Sequence, residues 1–360
     1  DAQLIETTIL LEINHQSLIA TKTNRIVQAA NGKPVSDFGA RRAHNVDAAV
    51  YGARAAYIGG AAGTATVLAG KMFHIPISGT MAHSWVMTFD SEYDAFKAYA
   101  ESYPDGTVLL VDTYDVLKSG VPNAIRTARE VLEPMGKKLI GIRLDSGDLA
   151  YLSKEARKML DEAGLPDCMI VASNSLDEYT ISSLNRQGAK IDSYGVGERL
   201  ITSSSTPVFG AVYKLVAIQK DGKFIPKIKI SETAEKITNP GIKEVYRVYD
   251  ENGKAVADYL AVKGEQIRDL EPVRYVDPVN YWKNRSFVGC RFKKLQVPVF
   301  EKGKRIYDLP DIEEIRQYVK DQLENEIWEE EQRFENAHTH YLDMSPAMFE
   351  LKMSLLHEEN

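Results

Sequence analysis

The chain predicts an α/β fold: an irregular, TIM-like (β/α) barrel followed by a second, β-rich domain. Three observations carry this expectation. Short apolar runs alternate with amphipathic stretches from about residue 35 to residue 205, the pattern of a parallel sheet wrapped in helices. Several of those runs end in polar residues or glycine, at Arg41, Thr80, Asp112, Asp145, Asn174 and Gly197. Chemistry in a parallel barrel gathers at these C-terminal strand ends. After "LITSSSTP" the pattern changes to strands joined by turn dipeptides.

Residues 1–30 put Leu4, Thr8, Leu11, His15 and Leu18 on one stripe and Ile5, Ile9 and Ile13 on its neighbour. A stripe this wide predicts a buried linking helix. Residue 1 is Asp and the helix pattern is entered near its start, with no signal-peptide pattern, so an upstream segment is expected. Residues 31–205 hold the barrel. Its candidate strands are "VSDFGAR", "IPISGT", "TVLLVDT", "KLIGIRLDS", "CMIVASN" and "IDSYGVG". Its helices are "NVDAAVYGARAAYI", "SEYDAFKAYAESY", "NAIRTAREVLEPM", "GDLAYLSKEARKMLDEAG" and "LDEYTISSLNRQG". Residues 206–310 form the β-rich domain, with turns at Asp221-Gly222, Asn252-Gly253 and Lys302-Gly303. Residues 311–360 read as a charged C-terminal helical segment whose "ENEIWEEEQRFE" run is a solvated face.

Composition narrows the function classes. At 360 residues, 44% hydrophobic and 26% charged, the chain is an ordinary globular one. Its 44 basic and 51 acidic side chains give −7, which disfavours bulk nucleic-acid binding but leaves room for a local cationic pocket. No apolar run approaches the ~20 residues that span a bilayer. Cys168 and Cys290 lack metal spacing and fit a reducing compartment. No Walker loop, Rossmann glycine fingerprint or local Ser-His-Asp arrangement is present.

Four clusters can carry chemistry. In "GIRLDSGDL", Arg143 offers a planar fork for a carboxylate or phosphate, while Asp145 and Ser146 bind sugar hydroxyls or cap the helix that Gly147 and Asp148 open. "SYGVGE" places Gly195 and Gly197 at a strand end, where they let a phosphate approach the backbone or simply turn the chain. In "DFGARRAH" adjacent arginines on a strand point to opposite faces, so at most one of Arg41 and Arg42 is expected to face a pocket, and a surface ion pair is the plainer reading of these residues alone. Ser173 and Asn174 are short polar groups at another strand end. His83, in "IPISGTMAHSW", reads by itself as a packed, hydrogen-bonded histidine before a reagent, and the "HTH" at 338–340 is expected to be solvated.

As an ordered set, "AQLIET", "LIATKTNRI", "FGARRAH", "SGTMAHSW", "DTYDVLKSGVPNAIR", "GIRLDSGDLAYLSKEARKMLDEAG" and "GAVYKLVAI" resemble nicotinate phosphoribosyltransferases along nearly the whole chain. The resemblance implies the irregular barrel of type II phosphoribosyltransferases, joined to a β-rich domain. It implies condensation of nicotinate with phosphoribosyl pyrophosphate to nicotinate mononucleotide and pyrophosphate, coupled to ATP hydrolysis, in NAD biosynthesis. By the same resemblance ATP phosphorylates His83 of the Gly79-Thr80-x-x-His83 segment, and Mg²⁺ accompanies the phosphates without a direct protein ligand. Thr80 and Arg143 would hold nicotinate, and Arg41 would meet phosphate or pyrophosphate oxygens. Asp145, Ser146 and Gly147 would face ribose and the metal-bound diphosphate. Ser173, Asn174, Gly195 and Gly197 would surround the 5′-phosphate. Glu198 stands where many members carry Thr, and a carboxylate aimed at phosphate is repulsive, so it is expected to point away or to alter that contact. A cytoplasmic homodimer with a shared active site is implied too. The family's Asp-x-Tyr-x-x-Thr segment, whose Tyr stacks on nicotinate from a neighbouring subunit, would precede residue 1; weak turnover by these 360 residues alone is therefore expected.

Overall fold

Six parallel strands organise the first half of the chain. In the computed structural model, which describes residues 2–233 and 236–358, these are β1 (Val35–Asp37), β2 (Gly63–Thr64), β3 (Val108–Leu110), β4 (Gly141–Leu144), β5 (Met169–Ala172) and β6 (Ser193–Val196). The sheet order is β2-β1-β6-β5-β4-β3, and every pairing is parallel. The sheet curls so that the last strand pairs with the first, as in a barrel. Five of the six candidate strands are found, each shorter than its apolar run.

"IPISGT" is not one of them. Pro76 has no N–H to give a ladder, and the segment makes only an isolated parallel bridge, Ile77 to Thr64. The two-residue β2, hidden between glycines, takes the ladder position instead. Residues 75–81 nonetheless touch both free edges of the sheet. Thr64 N–H donates to Pro76 O at 3.0 Å, and Ser78 N–H to Thr64 O at 2.9 Å. On the far side, Leu110 N–H of β3 donates to the Met81 thioether at 3.4 Å. The gap between β2 and β3 is thus spanned by irregular chain.

The helices of this unit are α1 (Ala2–Ala29), α2 (Val46–Ile58), α3 (Val67–Phe73), α4 (His83–Val86), α5 (Glu92–Ser102), α6 (Val121–Thr127), α7 (Leu149–Glu162), α8 (Glu178–Arg186) and α9 (Glu198–Ile201). Side-chain caps fix where four of them start. Asn45, Ser91, Asp148 and Asp177 accept from the backbone N–H three residues on, at 2.7, 3.1, 3.0 and 2.8 Å. Helix α1 corrects the expectation of a wholly buried helix. Leu18, Ile19 and Ile26 are buried, whereas Leu4 and Leu11 are 82% and 59% exposed. Its buried half is pinned by charge: Lys22 Nζ and Arg25 Nε lie 2.7 and 3.1 Å from the buried Glu178 carboxylate of α8.

The chain divides into two compact units, Asp1–Gly210 and Ala211–Asn360. The second holds a hairpin, β7 (Ala217–Lys220) and β8 (Lys223–Pro226), and a larger sheet. Its further strands are β9 (Lys243–Tyr249), β10 (Ala255–Val262), β11 (Val273–Val276), β12 (Asn284–Phe287), β13 (Arg291–Lys294), the short pair β14 (Phe300–Glu301) and β15 (Lys304–Arg305), and β16 (Leu342–Met344). The dipeptides Asp221-Gly222 and Lys302-Gly303 have φ of 49° and 76°, and 49° and 77°, as two-residue hairpins of the right twist require. The large sheet runs β12-β11-β16-β10-β9-β13. One face packs Val248, Tyr259, Ala261 and Cys290; the other packs Leu260, Val276 and Met344 against Met348 of α11 (Pro346–Glu358).

The C-terminal segment is therefore not simply helical. Helix α10 (Ile312–Asp321) starts at a reciprocal Asp311–Glu314 capping box, which fits the charged-helix expectation. But β16 sits in the middle of the large sheet, parallel to β10. The "HTH" reading also changes: His340 is drawn between Glu331, 3.1 Å from Nδ1, and Asp258, 3.4 Å from Nε2.

Burial, with help from Asp277, pushes the Asp343 carboxyl from 3.8 up to about 6. The folded chain thus holds this proton more tightly than the unfolded chain. Stability from this group is present below pH 4 and is lost as pH rises through 6. Asp343→Asn is expected to raise unfolding stability by about 1 kcal/mol at pH 8, with the gain vanishing near pH 4; denaturant melts at the two pH values read this directly.

Candidate active site

The strand ends of the first unit frame a cavity of about 420 Å³. Its wall includes Phe38, Arg41, Arg42, Thr80, Arg143 and Asp145, with Ser173, Asn174, Gly195, Gly197, Glu198 and Arg199. The sequence-predicted residues Arg41, Thr80, Arg143, Asp145, Ser173, Asn174, Gly195, Gly197 and Glu198 are thus brought together. His83 stands next to them through Asp145, whereas Ser146 and Gly147 are not part of the lining.

Arg143 leaves the end of β4 and its Nη1 donates to Thr80 Oγ1 at 2.6 Å. Its Nη2 lies 3.7 Å from Asp145 Oδ2, and its Cζ sits 5.9 Å over the Phe38 ring. Its Nε is buried with no hydrogen-bond partner. Burial pushes the guanidinium below its usual range, and the Asp145 and Asp112 charges oppose that shift. Its one side-chain hydrogen bond is to Thr80, and the Nε–H donor is left open.

His83 opens the short helix α4. Its Nδ1 is 3.2 Å from Thr113 Oγ1, and its Nε2 is 3.4 Å from Asp145 Oδ2 and 3.9 Å from Asp112 Oδ1. Asp112 was a strand-end residue in the sequence and proves central. Its Oδ2 accepts from Asp145 N–H at 3.0 Å and Ser146 Oγ–H at 2.5 Å, while its buried Oδ1 has no hydrogen bond. Ser146 is thereby turned onto Asp112. Ser173 donates its hydroxyl to Asp145 Oδ1. Asp148 caps α7 and is not at the cavity.

The arginine pair departs from expectation. Ala40–Arg42 form a 3₁₀ turn, not a strand, so alternation does not apply and both arginines line the cavity. Arg42 Nε lies 3.4 Å from Glu198 Oε2, which explains how a carboxylate is tolerated there. Gly195 also has a steric reason: a Cβ there would lie 2.2 Å from Phe38 Cε2. Asn174 and Ser175 both hold left-handed backbone, at φ 84° and 52°, which bends the chain beside the cavity. Asp112, Phe38, Thr113, Arg42 and Arg199 were not assigned roles from sequence; only the strand-end position of Asp112 and the "RR" pair gave any signal.

Arginines and small residues at the ends of a curled parallel sheet, with a histidine between two carboxylates, define an α/β enzyme site for an anionic substrate. The chain belongs to the nicotinate phosphoribosyltransferase family. The family model, "Nicotinate phosphoribosyltransferase (NAPRTase) family", matches residues 34–254, and that of the nicotinate phosphoribosyltransferase C-terminal domain matches residues 242–352. The chain is 50% identical to nicotinate phosphoribosyltransferase of Bacillus subtilis (strain 168), over 99% of its own length and 72% of the relative's. It is 37% identical to that of Dictyostelium discoideum, covering 97% of this chain and 67% of the relative. The crystal structure of human nicotinic acid phosphoribosyltransferase superposes with a TM-score of 0.86 at 26% identity, over 99% of this chain and 77% of that one.

Gly195→Ala is expected to displace Phe38 from its place against Arg143 and destabilise the chain by about 1–3 kcal/mol. Adding Phe38→Ala should return part of that loss, because the overlap is with the ring; unfolding midpoints of the two variants check this.

Proposed function

We propose that the chain condenses nicotinate with phosphoribosyl pyrophosphate, driven by ATP through a phosphohistidine at His83. The observation that carries this reading is Arg143. A buried guanidinium with an open Nε, already fixed by Thr80, calls for an anionic acceptor, because an unmade buried hydrogen bond is expensive. The nicotinate carboxylate supplies two oxygens and a charge; a neutral carboxamide supplies one oxygen and none.

The remaining roles follow from chemistry. His83, held at both ring nitrogens, attacks the γ-phosphorus of ATP; an N–P bond forms, the bond to the β-phosphate oxygen breaks, and ADP leaves. In the transfer step the ring nitrogen of nicotinate bonds to the ribose C1′ as the C1′–O bond to pyrophosphate breaks. Positive charge develops on the ribose, and the Asp145 carboxylate is suited to face it. Arg41 takes phosphate oxygens, and the turn from Ser173 to Asn174, with Gly195 and Gly197, takes the 5′-phosphate. Hydrolysis of the phosphohistidine returns free His83 and inorganic phosphate. Ser146 and Gly147 act from behind this set, Ser146 by holding Asp112.

Mg²⁺, when bound with the phosphates, neutralises their charge. Among the described residues no three His, Cys, Asp or Glu side chains converge on a metal position, while Asp145 and the open Oδ1 of Asp112 fit a cation carried by phosphate and faced by one or two carboxylates. The reading includes a cytoplasmic homodimer acting in NAD biosynthesis. Among the described residues no helix is long and apolar enough to cross a membrane.

Two measurements test it. With γ-labelled ATP the wild type should acquire an acid-labile, base-stable label that His83→Ala lacks; equal labelling removes His83 from the mechanism. Arg143→Lys keeps the charge and loses the fork, so kcat/KM for nicotinate should fall by the equivalent of about 2–5 kcal/mol and the preference over nicotinamide should narrow. An unchanged preference would sink the carboxylate assignment.

A further inference from the structure

Four arginines line the cavity, and they are engaged to different degrees. Arg143 is held by Thr80 and Asp145, and Arg199 by Asp177, the cap of α8. Arg41 makes no hydrogen bond or ion pair among the described residues. Arg42 is intermediate. Its single ion pair is to Glu198, through Nε at 3.4 Å, and both side chains are more than half exposed, at 58% and 64%. The Arg42 guanidinium makes no hydrogen bond among the described residues.

We propose that Glu198 is a resident competitor for the anion: it pairs with Arg42 at the rim of the cavity and yields it to the diphosphate of the incoming substrate. This rests on reading the cavity as the phosphoribosyl pyrophosphate site. An exposed ion pair without a hydrogen bond is weak and screened by salt. A diphosphate offers several charged oxygens and can engage the whole guanidinium fork, which makes the stronger, bidentate contact. Glu198 also places a negative charge where the substrate must arrive. Its presence therefore weakens anion binding in two ways: it pairs with the cation, and it repels the ligand. Arg42 is kept oriented toward the cavity meanwhile. Glu198 is accordingly a positioning residue that sets how tightly the site takes diphosphate.

Calorimetric titration of the full chain with inorganic pyrophosphate, at low and high salt, tests this. Glu198→Gln should tighten binding about three- to fivefold at low salt, the scale of one exposed ion pair, and less at high salt. Arg42→Gln should weaken binding, and Glu198→Gln added to it should give a much smaller gain than in the presence of Arg42. Glu198→Thr serves as a second variant and should behave like Glu198→Gln. The proposal is overturned if neither Glu198 variant tightens binding, or if the gain is the same with and without Arg42, since that would be a general charge effect. Arg41→Gln separates the two levels of the argument. If it binds pyrophosphate as well as wild type does, diphosphate is not held in this cavity and both readings fall. If it weakens binding while the Glu198 variants change nothing, the cavity stands and only the role of Glu198 is lost.

Discussion

The geometry of the site depends on one buried carboxylate. Asp112 follows the end of β3, and through a single oxygen it accepts both the backbone N–H of Asp145 and the hydroxyl of Ser146, on the loop after β4. A carboxylate is costly to bury unless its acceptors are used, so this pairing ties two neighbouring strand ends together and is hard to dispense with. It fixes Asp145, which in turn meets His83, Arg143 and the Ser173 hydroxyl. Three strand ends, those of β3, β4 and β5, and the first residue of α4 are therefore registered through two acids. The second oxygen of Asp112 is left facing His83. An anchor that spends one oxygen on structure keeps the other for chemistry.

The cations around that anchor form a graded series. Arg143 is deep, stacked near Phe38 and partly neutralised by acids, which suits a fixed contact with a small planar anion. Arg41 and Arg42 are exposed on a tight turn, and Arg42 loses little on giving up its pair with Glu198. A site that must hold one substrate firmly and release a diphosphate gains from such a division. The aromatic ring that supports the deep cation is itself admitted only because residue 195 has no side chain.

Much of this was legible in the sequence where the signal is local. Asn45, Ser91, Asp148, Asp177 and Asp311 mark helix starts because a short acceptor side chain must meet an N–H three residues on, and each does. The strand-end residues were legible because parallel topology puts polar groups at one edge. Signals that depend on distant residues were not. Gly195 reads as a phosphate turn until Phe38 is seen against it. Asp112 looks like any acid after an apolar run until Ser146 is brought to it. The strand Leu342–Met344 is three residues in a polar stretch, and only its partners on β10 and β11 make it a strand. Residues 75–80 had the composition of a strand, but Pro76 and the polar residues after Ile77 allow only one bridge.

That irregular stretch has a consequence of its own. His83 lies just beyond the chain that spans the gap between β2 and β3, where the sheet is joined by two backbone bonds on one side and a thioether on the other. Arg143, by contrast, stands on a strand laddered on both sides. The barrel therefore has a stiff side and a seam. Local opening at the seam would alter the approach of His83 to Asp145 without breaking a single strand pairing in the sheet, so the least laddered part of the barrel is also the part next to His83. The ladder that holds the sheet and the freedom of His83 are set by separate stretches of chain.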